Sequence, residues 1–122
     1  MNNFKFSKRS LDNLKGVHPD LVKVVHLALE LSPRDFIVIE GVRTLERQKE
    51  MVATGKSKTM NSYHLTGHAV DFVPCSPVSW DRKDFAPVVA AFKAAAARLN
   101  VKIECGHDWT RFPDSPHVQI SR

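Results

Sequence analysis

The chain is short of the residues that mark several large protein classes. It has two cysteines, Cys75 and Cys105, in 122 residues, with no C-x-x-C pair and no cysteine-rich metal cluster. A disulfide scaffold is thereby excluded, and two free thiols are expected. No apolar run approaches the roughly 20 residues that span a bilayer, which excludes an apolar membrane-spanning helix. The first residues, MNNFKFSKRSLDNLKG, hold no apolar stretch of the kind a secretory signal needs, so synthesis in the cytoplasm is expected. There is no block of consecutive basic residues, no repeat, no low-complexity tract and no linker rich in Gly, Ser or Pro. These absences point to one domain over residues 1–122. A monomer without membrane insertion is expected.

What is present is ordinary for a folded enzyme-sized domain. Hydrophobic residues make up 43% and charged residues 25%, which argues against disorder. The formal net charge is +5, from 18 Lys and Arg against 13 Asp and Glu. Such a surface is drawn to polyanions: nucleic acid, an anionic membrane face or a cell wall. No helix-turn-helix, RNP or zinc-finger pattern accompanies it, so no nucleic-acid partner is expected.

Local patterns predict mixed elements. Residues 19–31 carry Leu21, Val24, Val25, Ala28 and Leu31 at helical spacing, with Pro19 in the first turn and Ser32-Pro33 as a stop. Residues 36–42, FIVIEGV, read as a buried strand. Thr44 caps a helix over 45–54, followed by Gly55 as a left-handed terminator. Residues 56–68 read as a loop and 69–73 as a strand. A helix over 84–99 shows the longest apolar stripe, with Asp81 as its N-cap. Strands are predicted at 101–105 and 117–121, with a loop between them. The order lacks a βαβ rhythm, which predicts an α+β fold: a small antiparallel sheet with helices packed on one face.

Three places carry candidate chemistry. The segment S-Y-H-L-T-G-H-A-V-D puts His64 in a loop and Asp71 on a strand. D-S-P-H places Asp114 three residues before His117. Arg43 follows the strand that ends in Val42. A hydrolytic zinc site wants three N or O ligands and one open position for water. A carboxylate beside it can accept the water's proton and hand it to the leaving group. An arginine opposite can hold a carboxylate or an oxyanion. Spacing alone does not separate such ligands from ordinary loop histidines.

The longer pattern does. S-x-H-x-x-G-x-A-x-D, preceded by a strand ending in G-x-R and followed by acid-x-x-His, resembles the M15 peptidases. These include D-Ala-D-Ala carboxypeptidases and dipeptidases and phage L-alanyl-D-glutamate endopeptidases. The likeness runs over nearly the whole chain and is nearest to single-domain phage endolysins. It implies the D-Ala-D-Ala peptidase (hedgehog-like) fold. It also implies one zinc ion held by His64, Asp71 and His117, with Asp114 as general base, where many relatives carry Glu. Arg43 then binds substrate or the tetrahedral oxyanion, and Ser62 makes a hydrogen bond near the metal. The implied substrate is the L-Ala–D-Glu bond of the peptidoglycan stem peptide, met at the wall after release from the host cytoplasm. A Gram-negative host fits a chain without a wall-binding module.

Two other readings stay open on sequence: a D-Ala-D-Ala carboxypeptidase with the same site, and a non-catalytic basic protein binding wall or nucleic acid. His68 and His107 are read as non-ligands, and His18 and His26 as structural. Trp109 is either a groove wall or packing. The short stretch 110–116, with Asp114 as its one acid, predicts no calcium site.

Overall fold

The computed structural model describes residues 2–121. Helix α1 (Lys8–Asn13) precedes α2 (Pro19–Leu31) and strand β1 (Phe36–Glu40). Helix α3 (Leu45–Ala53) follows, then β2 (Ala69–Pro74), α4 (Arg82–Leu99), β3 (Ile103–Cys105) and β4 (His117–Ile120). Single 3-10 turns at Tyr63–Thr66 and Gly106–Asp108 lie in segments expected to be plain loop. The four strands form one antiparallel sheet in the order β1-β2-β4-β3.

Alternation along the strands divides the sheet into two faces. Phe36, Val38, Val70, Phe72, Val118 and Ile120 join the hydrophobic core under α2 and α4. From those helices come Leu21, Val24, Val25, Ala28, Phe85, Val88, Phe92 and Ala95, all within 1% of full burial. Phe72 is the hub, with its ring 5.5 Å from Phe36, 5.5 Å from Phe85 and 4.7 Å from Phe92. Residues of opposite parity, Asp71, His117 and Gln119, fall on the other face.

Several element ends differ from expectation for identifiable reasons. Helix α4 starts at Arg82, two residues early, because Asp81 accepts from the Lys83 N–H and sets the start. Strand β1 ends at Glu40 rather than Val42, since the Gly41 carbonyl turns to His64. Strand β3 begins at Ile103, after Asn100 terminates α4 in the left-handed conformation (φ 57) and the Val101 N–H bonds back to Ala96. Helix α1 is an addition. Its Ser10 hydroxyl accepts from Val38 N at 3.1 Å, and Asn13 donates to Val38 O at 2.8 Å. The exposed edge of β1 is thus closed by side chains in place of another strand.

Between Val38 and Glu40 the β1–β2 register slips by one: Val38 opposes Phe72, yet Glu40 opposes Asp71. This bulge places Glu40, in place of Ile39, beside Asp71 on the face away from the core.

Replacing Phe72 by alanine should cost about 3–5 kcal/mol of stability through the cavity left among three phenylalanines. Urea denaturation followed by circular dichroism measures it, and a loss below about 1 kcal/mol would show that this ring is not the centre of the core.

Candidate active site

The row Glu40–Asp71–His117 crosses three strands at one level of the sheet. Direct pairing of Asp71 with His117 puts both side chains on one face as close neighbours. Asp71 Oδ1 lies 3.4 Å from His117 Nδ1 and 3.1 Å from His64 Nε2. His64 reaches this point from the 3-10 turn. Ser62 opens that turn, its hydroxyl accepting from the His64 N–H at 3.2 Å. Gly67 closes it at φ 75, and a Cβ there would come within 2.5 Å of the Gly16 carbonyl. Only glycine fits such a left-handed position at this separation. The expectation that Gly67 serves backbone geometry therefore has a specific cause.

Two sequence-distant loops are then locked together. Arg43 N–H donates to the His64 carbonyl at 2.9 Å, and His64 Nδ1 donates to the Gly41 carbonyl at 2.8 Å. A carbonyl accepts only, so a proton sits on Nδ1, and Nε2 is the nitrogen turned towards Asp71. His64 is 2% exposed, which removes water as a competitor for either nitrogen.

The three side chains offer ligand atoms that all lie within 4.8 Å of one another, and they form the one group among the described residues with the spacing of a metal site. Burial alone would raise the pKa of Asp71, but the hydrogen bonds from His117 and His64 outweigh it and hold the carboxyl well below its usual range. An ionised carboxylate between two imidazoles is the charge a divalent cation needs.

Arg43, 8% exposed, stands at the wall of the same cleft. Its Nε donates to Glu40 Oε1 at 2.8 Å, and its Nη2 also pairs with that oxygen. Nη1 donates to Gln48 Oε1 at 2.8 Å, and Nη2 is 4.0 Å from Asp71 Oδ2. Gln48 is wholly buried on α3 and uses its amide nitrogen on Ser57 Oγ and the Thr59 carbonyl. One side chain therefore ties the arginine to the loop that forms the opposite rim.

Asp114 is exposed at the mouth, in a turn closed by the His117 N–H donating to its carbonyl at 3.0 Å. A Cβ on Gly106 would sit 2.3 Å from that carbonyl oxygen, so the missing side chain allows the two segments to meet. Partial loss of solvent around the carboxyl raises its pKa, and the negative charge of Asp71 raises it further. The cleft, about 710 Å³, is lined by Arg43, Ser62, His64, Asp71, Trp109, Asp114 and His117, with the loop from Lys56 to Asn61 on one side. All six residues singled out from sequence meet there.

The remaining aromatic and histidine positions also resolve. Trp109 does both jobs considered for it: it lines the cleft and packs its ring 5.3 Å from that of His117. His107 is buried and bonded through Nδ1 to Ser115 Oγ at 2.9 Å, outside the ligand group. His68 bonds Thr66 and packs against His18, which caps α2 by accepting from Asp20 N–H. Cys75 and Cys105 are buried free thiols. Glu40, Gln48, Glu104 and Gln119 were not singled out from sequence, because nothing in their local spacing reports that Glu40 and Gln48 touch Arg43, that Gln119 touches His117 or that Glu104 touches Gln119.

The family model for the phage L-alanyl-D-glutamate peptidase matches residues 2–121. The chain belongs to that family. It is 39% identical over 125 residues to the L-alanyl-D-glutamate peptidase of Escherichia phage T5, covering 98% of this chain and 90% of that protein. It is 33% identical to the L-alanyl-D-glutamate peptidase of Listeria phage A118, covering 95% of this chain and 42% of that one. The crystal structure of the Serratia marcescens L-Ala D-Glu endopeptidase ChiX superposes with a TM-score of 0.92 at 44% identity, over 98% of this chain and 92% of that chain. The M15-type resemblance and the α+β fold with helices on one face are thus those of the family.

Gln48→Leu, similar in size but without polar atoms, should destabilise by roughly 1–3 kcal/mol, since it leaves Arg43 Nη1 without its acceptor and takes the amide donor from the Thr59 carbonyl. A urea midpoint equal to that of the parent protein would mean that the Gln48 bridge carries no net stabilisation.

Proposed function

We propose that the chain is a zinc-dependent peptidoglycan endopeptidase that cleaves the L-Ala–D-Glu bond of the stem peptide. The observation that carries this reading is the meeting of His64, Asp71 and His117 on one sheet face, within a family of L-alanyl-D-glutamate peptidases. The donor set fits zinc. Tetrahedral bonds of about 2.0–2.1 Å place neighbouring ligand atoms roughly 3.3 Å apart, and the two distances from Asp71 Oδ1 are 3.1 and 3.4 Å. The two nitrogens that face Asp71 are His64 Nε2 and His117 Nδ1. The other nitrogen of each ring bonds a protein oxygen, Gly41 O or Gln119 Oε1, as ligand histidines require.

Zinc, when bound, supplies Lewis-acid activation of the attacking water and of the scissile carbonyl. The rest falls to the chain. Asp114, at the cleft mouth and three residues from His117, accepts the proton of the attacking water. Its raised pKa improves its second task, returning that proton to the leaving D-Glu nitrogen. Arg43, fixed by Glu40 and Gln48, offers a permanent positive charge to the developing oxyanion without having to reorganise. Ser62 acts through the backbone by holding the His64 turn. Trp109 and the Lys56–Asn61 side of the cleft receive the flanking peptide. The cleft is built within one chain, consistent with a monomer. Because peptidoglycan lies outside the cytoplasmic membrane, the reading also places the action at the wall, after the chain leaves the cytoplasm.

Two substitutions separate binding from turnover. His64→Ala should abolish stoichiometric zinc, read by elemental mass spectrometry, along with activity. Asp114→Asn should keep zinc but lower kcat by about 10²–10⁴. Mass spectrometry of products from Gram-negative peptidoglycan should show stem peptides beginning at D-Glu, lost with a chelator and restored by zinc. Release of D-alanine alone would instead make the chain a carboxypeptidase, and no metal-dependent product would leave the binding-protein reading.

A further inference from the structure

We infer that Glu104 and Gln119 form a relay that fixes which nitrogen of His117 faces the metal position; the inference rests on the zinc reading of this site. His117 differs from His64 in how its ring is held. For His64 the acceptor is the Gly41 carbonyl, part of the main chain and unable to reverse. For His117 the partner is the Gln119 side chain, with Nε2 2.7 Å from Oε1. An amide can turn over and present its NH₂ instead. In that orientation the Nε2 lone pair would be used as an acceptor, the proton would move to Nδ1, and the face towards Asp71 would become a donor unfit to bind a cation.

The next residue in the line removes that choice. Glu104 on β3 is the direct cross-strand partner of Gln119 on β4, and Gln119 Nε2 lies 2.6 Å from Glu104 Oε2. A carboxylate has no hydrogen to give, so the NH₂ end of Gln119 must face Glu104. Its Oε1 therefore faces His117 and Nε2 must carry a proton, which leaves Nδ1, 3.4 Å from Asp71 Oδ1, as the nitrogen free to exchange its proton for a cation. Gln119 is 9% exposed, so water cannot readily substitute for either partner. Glu104 itself is exposed on an edge strand and touches no ligand, which makes it a positioning residue two hydrogen bonds away from His117.

The decisive variant is Glu104→Gln. It preserves size and lies at an exposed position, so the fold should persist, but a second amide no longer dictates how Gln119 turns. Zinc affinity of the full chain is read by competition with a chromophoric chelator. The His117 tautomer is read from ¹⁵N imidazole shifts on the zinc-free chain, with circular dichroism to verify folding. Expected are a parent protein in which Nε2 always carries a proton, a fraction of Glu104→Gln molecules in which Nε2 is bare, and zinc affinity weakened about 10–100-fold in the variant. Gln119→Ala should weaken zinc at least as much. Unchanged tautomer and unchanged zinc affinity in folded Glu104→Gln would overturn the relay and leave a plain cross-strand pair. A parent protein that takes up no zinc would defeat the zinc reading instead, while the tautomer comparison would still decide the relay.

Discussion

Everything in this cleft depends on the pairing of β2 with β4. Antiparallel register sets Asp71 opposite His117, and the period of two in a strand then sends both side chains to the same face. A slip of one residue would bury Asp71 in the phenylalanine core and expose Val70 or Phe72. The hydrophobic alternation that builds the core is therefore the same restraint that holds two ligands within 3.4 Å. Site geometry and fold stability share one origin.

Packing helices α2 and α4 on one face leaves the other face to polar residues, and the structure uses local irregularities to refine it. The bulge in β1 brings Glu40 into the row. The turn between Ser62 and Gly67 drops His64 onto it, and the Arg43 and Gly41 main-chain bonds weld that turn to the end of β1. The His64 and Gly67 carbonyls of that turn accept from the Arg43 and His18 N–H groups, which ties it to two other segments.

Charge is arranged with similar economy. Asp71 remains ionised because two imidazoles bond it, although its burial opposes ionisation. Asp114 is pushed the other way, first by partial loss of solvent and then by the negative charge of Asp71. Two aspartates on one small site thus acquire different roles from their surroundings: one suited to hold a cation, one suited to carry a proton. Arg43 is kept from collapsing onto Asp71 by Glu40 and Gln48, which hold its guanidinium on their own side.

The amino-acid sequence by itself determined the main helices, the core strands, the fold class and the six residues that meet in the cleft. It could do so because helical and strand periodicity are local, and because S-x-H-x-x-G-x-A-x-D with a later D-x-x-H is a long ordered pattern. It under-read α1, whose six residues close a strand edge more than 20 positions away, and it ran β1 through Gly41 although that carbonyl serves His64. Only the tertiary structure decided that Glu40 and not Ile39 faces Asp71, that Gln48 ties Arg43 to the far rim, and that Glu104 governs Gln119. Those three facts follow from register, burial and cross-strand neighbours, which join residues with no periodic relation along the chain.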